Sequence, residues 1–591
     1  MQTTSYNMNS SPPISRLHEE ILWIIWLENT EAHHDHRLST ARYSSQVCRK
    51  WRNLMLTSSS IWGRLIDLNI WNPWMEEVMS RSGKAPLWIV TGAICKWPWD
   101  YLSDFLLNFI SDSWARIERL HIYDDLRPYP HGPTTEYSRN AREQCWLDLF
   151  SRPAPLLEEF KFHYLTKDDD PDAWHAPLPW FNSLAPRLRM FSVYKCPNDT
   201  LITRLSAQPP LFKLGMPSSS SWLSKLRSFT LCQRWDAPDL LSLLWKMPLL
   251  EELEITSFTA SGSRNESVVI DDAPVFLPRL SALRLVDWVL SDIVGFLGPI
   301  SPCVNCCLTM SEPRNDSGAS TPILPLNEAQ RAQRVVLRYL QNYNEARSIA
   351  KLSLSSNSRY IHIREDAASD GLSIYIPRTA TDDSWLLSML FNSTFLSSTT
   401  TLHVGEWEAE CQHIYASAFF NAVHTLSITQ HAFPFMIMFL DQGHHDSFPL
   451  LHTLRVEGQQ RVYSDYVTLL HQFLRKRQDL SRPISVLDLS ELNLKCFRSD
   501  FDDFEEFVGL SVSFPGTLFE NGQIPPLEFV QLSLSSSGTL PENGQMPPSY
   551  LCDRDGAYRY ANIDDEMEVS RPIQHRHPQK PAVGFGWSGY T

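Results

Sequence analysis

Cysteine is sparse and scattered in this 591-residue chain: eleven residues, an odd number, standing singly apart from Cys303, Cys306 and Cys307. That spread argues against a secreted disulfide framework and for reduced, mostly buried thiols. Long apolar runs are missing near the start. The longest there is Ile21 to Leu27, seven residues against the roughly 20 a bilayer span needs. The opening Met1-Gln-Thr-Thr-Ser-Tyr6 has neither a basic nor an apolar region of the kind a secretory signal carries. Basic charge is also short. A net charge of -15 argues against nucleic acid as the main partner, since phosphate binding needs a concentrated basic face. The expectation is a soluble protein of the cytoplasm, the nucleus or both, without a membrane partner.

Catalytic signatures are missing as well. The chain contains no Gly-x-x-x-x-Gly-Lys-Ser/Thr, Gly-x-Gly-x-x-Gly, His-Glu-x-x-His or Gly-x-Ser-x-Gly pattern. Carboxylate pairs such as Asp124-Asp125 and Asp271-Asp272 read as loop turns rather than acid–base pairs. Cys303-x-x-Cys306-Cys307 supplies half of a zinc-ribbon spacing, but no second pair follows at usable distance. His33, His34 and His36 flank Asp35, yet imidazoles so close in sequence cannot all point at one ion from a regular element. No catalytic residue, cofactor or metal ligand is expected, and the chain does not read as an enzyme.

What is present is ample core material. Hydrophobic residues make up 43% and charged residues 20%, ordinary for a folded protein. The length is too great for one compact core, so two or more domains, or one domain with an extended array, are expected. Residues 1–13 read as a disordered lead. Leu17, Ile21 and Ile24 then recur at helical spacing, with Glu19 and Glu20 in the first turn. A second helix is predicted from Ser39 to Met55, capped by Ser39 or Thr40. Tyr43, Val47, Cys48, Trp51, Leu54 and Met55 would form its apolar stripe, and Arg42, Arg49, Lys50 and Arg52 would lie largely off it. Thr57 to Ser60 break it, and Ser60 can cap a short third helix carrying Ile61, Trp62 and Leu65. Three such helices can barely bury their own apolar faces. The bulk of Trp23, Trp26, Trp51 and Trp62 therefore implies a partner.

Leu17-His18-Glu19-Glu20-Ile21-Leu22, then Val47-Cys48-Arg49-Lys50-Trp51-Arg52, then Ser60-Ile61-Trp62 together resemble an F-box. That family shows Leu-Pro-x-Glu-Ile/Leu, then Val-Cys-basic-x-Trp, then a Leu/Ile-Trp close. The chain is similar in particular to the F-box-like modules abundant in mushroom-forming fungi. In those, a strand like Ile66-Asp67-Leu68 and a stretch like Ser82-Gly83-Lys84-Ala85-Pro86-Leu87 often follow. The match spans residues 14–68. His18 stands where the family carries proline, which should loosen the helix start modestly. The resemblance implies a Skp-family adaptor, and through it a cullin, bound by Leu17, Ile21, Leu22, Val47, Cys48, Trp51, Ile61 and Trp62. Val47, Trp51 and Leu54 suit the module's own core as well. The chain would then recruit a target protein to a ubiquitin ligase whose chemistry lies in other subunits. The alternative is a non-ligase scaffold or recognition protein with a drifted F-box.

From residue 115 onward a short alternating pattern returns. Leu120/Ile122, Phe160/Phe162, Phe191/Val193, Phe229/Leu231, Leu253/Ile255 and Leu283/Leu285 are followed by Leu352/Leu354, Leu402/Val404, Leu426/Ile428, Leu454/Val456, Leu487/Leu489 and Leu532/Leu534. Residues at i and i+2 share one face of a strand. Spacings of 24 (Phe229 to Leu253), 28 (Leu426 to Leu454) and 30 (Leu253 to Leu283) are those of leucine-rich repeats. The wider gap from 308 to 350 should hold inserted helices or loops. A late duplication aligns Leu510-Ser-Val-Ser with Leu532-Ser-Leu-Ser at an offset of 22. The expected class is α+β multidomain: a small three-helix F-box-like module at 14–68, an irregular α/β leucine-rich-repeat-like solenoid at 69–552, and a disordered tail at 553–591. The untagged protein should carry no stoichiometric zinc; one tightly held equivalent by metal analysis would contradict the reading of both the Cys303 and the His33 clusters.

Overall fold

Alternating Leu-x-Leu and Phe-x-Phe segments can bury one row of side chains only against neighbouring strands that do the same. In the computed structural model they do so. It describes residues 17–32, 37–67, 73–90, 107–125, 144–165, 180–196, 220–232, 237–256, 274–286, 290–311, 326–356, 360–366, 371–377, 397–407, 420–441, 448–458, 464–492, 504 and 506–513. The lead at 1–13, the histidine cluster at 33–36, the strand expected at 531–534 and the tail at 553–591 lie outside these residues.

Four short helices open the described chain: α1 (Glu19–Ala32), α2 (Arg37–Ser44), α3 (Arg49–Thr57) and α4 (Ser59–Arg64). The single helix expected from Ser39 to Met55 is therefore two, and the three-helix expectation becomes four. The break has a local cause. The Ser45 hydroxyl donates to the Arg42 carbonyl, Gln46 and Val47 amides reach back three residues, and the Arg52 guanidinium takes the Ser45 carbonyl. Such local bonds offer the backbone an alternative to the helix. Cys48 then stands extended at the start of α3, and Ser58, not Ser60, precedes α4.

β1 (Ile66–Asp67), α5 (Pro73–Ser82) and β2 (Leu87–Val90) follow; Gly83 takes a positive φ of 51° just past α5, where a side chain would be strained. Next come β3 (Ile117–Asp125), β4 (Glu159–Leu165), β5 (Met190–Cys196), β6 (Ser228–Cys232) and β7 (Glu252–Thr256). β8 (Val275–Phe276) pairs apart with β10 (Ile300–Ser301), while β9 (Ala282–Val286) and β11 (Cys307–Met310) continue the main sheet. Then follow β12 (Lys351–Ser356), β13 (Tyr360–Glu365), β14 (Ser373–Pro377), β15 (Thr401–Trp407), β16 (Thr425–Thr429), β17 (Thr453–Glu457), β18 (Val486–Asp488) and β19 (Ser511–Ser513).

Seventeen of these strands form one sheet. From β1 to β11 every pairing in it is parallel and in chain order, and so is every pairing from β15 to β19. The register carries one buried row, Ile66–Ile89–Leu120–Phe160–Phe191–Phe229–Leu253–Leu283–Leu308, straight across nine strands. The order changes once. Helix Leu326–Ala346, lying in the gap where insertions were expected, carries the chain past two strand positions to β12. The antiparallel β13–β14 ribbon then fills the space back to β11. Beyond it the row resumes as Leu352–Leu402–Leu426–Leu454–Leu487–Val512. The class is mixed α/β with a large, mostly parallel sheet.

Behind this row the core is aromatic where strands are widely spaced in sequence. Phe160, Phe191 and Phe229 stack at centroid distances of 5.4 and 5.9 Å, backed by buried Trp146, Trp180 and Trp222. Two arginines, Arg477 buried and Arg338 half-buried, close carbonyl-rich turns. Arg338 donates to the carbonyls of Leu297, Gly298 and Ile300, and Arg477 to those of Phe448 and Leu451. Phe191→Ala should cost about 3–5 kcal/mol by the cavity it leaves, read as a lower denaturation midpoint; a loss below about 1 kcal/mol would contradict the ladder's role.

Candidate partner-binding surfaces

Helix α1 is apolar on every side through the run Leu22-Trp-Ile-Ile-Trp-Leu27, so no single face is dictated by its own periodicity. The neighbouring helices choose. Leu22 and Trp26, four apart, turn inward, and Trp26 meets Trp51 edge to face at 5.3 Å. Met55, Ile61 and Trp62 complete the same core, and the Trp62 indole donates to the Met55 carbonyl at 2.7 Å. The Trp23 indole donates to the Ser58 hydroxyl at 3.2 Å across the α3–α4 joint.

The helices are also fixed to the sheet. β1 pairs with β2, and Gly63 lies so close to β2's approach that an added Cβ would stand 2.3 Å from the Pro86 carbonyl oxygen. The Arg64 and Arg119 guanidiniums lie over the Trp88 ring at 4.0 and 3.7 Å, and Arg81 lies over Trp62 at 4.7 Å. Arg37 reaches from α2 to the Arg64 carbonyl at 3.0 Å.

The eight residues expected to bind an adaptor divide. Leu22, Trp51, Ile61 and Trp62 are buried and hold the helices together, so they present no surface in this conformation. Leu17 is partly buried against the same core. Ile21 is 47% exposed, Val47 is 56% exposed, and Cys48 is exposed. The stripe expected through Tyr43 and Val47 fails because the turn at 45–48 rotates α2 away from α3, leaving Tyr43 in solvent. Trp23, whose bulk implied a partner, is exposed, and so are Ile24, from the helical repeat of Leu17, Ile21 and Ile24, and Ile25, which no motif singled out; all three lie beside Ile21. The unbroken run of seven apolar residues was the available signal: on a helix, one side of it must stay outside.

A second surface is the open side of the sheet, formed by the residues that alternate with the buried rows. Glu159 receives Arg119 at 3.0 Å and His121 at 3.4 Å. Tyr123, His163 and Tyr194 stack across three strands at 4.2 and 4.1 Å. Burial, with Lys161 and His121 adding repulsion, brings His163 down to about 4, so the stack is uncharged near neutrality. Farther along, Glu457 receives His403 at 3.2 Å and the Ser427 hydroxyl, and Arg455 pairs with Asp488 at 2.9 Å.

Burial pushes the Cys306 thiol up to about 12 and raises that of Cys307, which suppresses the thiolate a nucleophile or metal ligand needs. Among the described residues no three His, Cys, Asp or Glu side chains are grouped to hold a metal, and no helix is long and apolar enough to cross a membrane. Compared with known proteins, the chain matches no family model and no curated protein. Leu22→Asp should collapse the helical segment, whereas Ile24→Asp should leave thermal unfolding within about 0.5 kcal/mol of the parent; equal losses would mean α1 does not face as described.

Proposed function

We propose that the chain is a substrate-recruiting F-box subunit of a Skp–cullin–F-box ubiquitin ligase. The α1–α4 segment binds the Skp-family adaptor, and the parallel sheet is a leucine-rich-repeat-like solenoid that holds a protein target. One observation carries the reading. The elements that bear the three-part motif leave Ile21, Trp23, Ile24, Ile25 and Val47 exposed after their own core is complete. An apolar patch of that kind, on a segment already packed, marks an interface. In-register strands at 24- to 30-residue spacing support the repeat reading.

The adaptor contact then belongs to the outer face of α1 and the turn at 45–48, with Leu22, Trp51, Ile61 and Trp62 acting from beneath as its support. The exposed Lys50–Glu19 pair, 3.8 Å apart, contributes little. Central apolar positions of an interface cost about 2 kcal/mol or more on truncation, roughly thirtyfold in affinity. In a calorimetric titration of the full chain with the adaptor, Ile21→Asp/Ile24→Asp should weaken binding by at least that factor while leaving thermal unfolding unchanged. Unaltered affinity in the double variant would sink the proposal, and absence of binding by the parent would favour the scaffold reading.

A further inference from the structure

The open face over β3–β7 carries its charge unevenly. On β3 and β4, Arg119 and His121 both turn onto Glu159. Lys161 is left with no ion pair or hydrogen bond among the described residues. Burial holds His121 and His163 below the ordinary imidazole value, so neither adds a lasting charge near neutrality. Among the described open-face side chains of these two strands, Lys161 is therefore the cation that forms no salt bridge, although it feels the Glu159 charge beside it.

Three strands on, the sign reverses. Glu252 and Glu254 sit two apart on β7, and among the described residues the cation paired with them is Arg284, 3.9 Å from Glu254. The Ser228 hydroxyl donates to Glu252 at 3.2 Å. Burial raises the Glu254 carboxyl against the pull of Arg284, and the Glu252 charge adds to that rise, so a further cation is favoured there. Between the two charges the floor of the face is uncharged, built from buried Ser192 and Thr230 with half-buried Ser228 beside them. The Ser192 hydroxyl oxygen is buried and has no hydrogen-bond partner.

We propose that this stretch seats an extended segment of a partner protein that crosses the strands from β4 to β7, with an acidic side chain at Lys161 and a basic one at Glu252–Glu254. The proposal rests on the reading that the open face holds the target. Neighbouring strands lie about 4.8 Å apart, so three steps span about 14 Å. An extended chain covers that distance in about four residues at about 3.3 Å each. The Tyr123–His163–Tyr194 stack stands beside Lys161 as a rigid aromatic wall, the kind of surface that supplies contact area at low entropic cost. Opposite charges at both ends admit a mixed-charge segment in either chain direction and reject segments of one sign.

The test uses the full chain and four labelled ten-residue peptides on one neutral scaffold, with Glu and Lys, Glu and Glu, Lys and Lys, or Gln and Gln four positions apart. Fluorescence anisotropy at low ionic strength should show the Glu–Lys peptide binding about tenfold tighter than the Gln–Gln peptide, and the two like-charged peptides no tighter than Gln–Gln. Lys161→Glu should abolish that preference, and Lys161→Glu/Glu254→Lys should restore it by reversing the face. Thermal melts accompany each variant, with Lys161→Gln as the milder replacement should Lys161→Glu fail to fold. Four peptides that bind alike, or not at all, overturn the inference, as does a preference that survives both Lys161 variants. Adaptor binding measured on the same samples separates the two ideas. Peptide discrimination lost with adaptor binding intact refutes only this inference; the reverse result refutes only the ligase reading.

Discussion

A parallel sheet built strand by strand depends on register above all. Side chains alternate with a period of two, so a slip of one residue anywhere would turn a core row to solvent and a charged row inward. Here the row from Ile66 to Leu308 keeps its register across nine strands although the intervening segments differ widely in length. Fully buried Ile, Leu and Phe side chains along the row supply the penalty that fixes it. Everything else on the sheet inherits that alignment. The Tyr123–His163–Tyr194 stack and the His121–Glu159 contact exist because their strands are held in step.

The helices at the start serve the same sheet. β1 hands Ile66 to the buried row, and the close approach of Gly63 to Pro86 leaves no room for an intervening side chain. The buried residues of α1–α4 belong to one continuous cluster with those of the strands. An adaptor docked on α1 would consequently be placed in a fixed relation to the first strands, through packed side chains and not through a linker.

Much of this was legible in the residues. The paired apolar positions at Leu120/Ile122, Phe160/Phe162 and their successors mark eleven described strands, because i, i+2 alternation has one simple physical meaning. The antiparallel β13–β14 ribbon was not legible: Tyr360 to Glu365 and Ser373 to Pro377 read as strands only once β11 and β12 are known to leave a gap. On α1, apolar residues around the whole circumference made the buried face undecidable from the helix alone, and it took Trp51 from α3 to select Leu22 and Trp26. On α2 and α3 the 3.6 period ran unbroken through a turn, because Ser45 and Gln46 break a helix by hydrogen bonds that composition does not reveal. Motif residues proved easier to locate than to assign. Four of the eight are buried, and the exposed surface combines Ile21 and Val47 from the motif with Trp23, Ile24 and Ile25 outside it.

Amide hydrogen exchange of the full chain, alone and saturated with a Skp-family adaptor, tests most directly whether α1 is a docking helix. The expected result is slowed exchange confined to α1 and the turn at 45–48, with the strands from β3 onward unchanged. Unaltered exchange in α1, or protection falling on the strands instead, would contradict it.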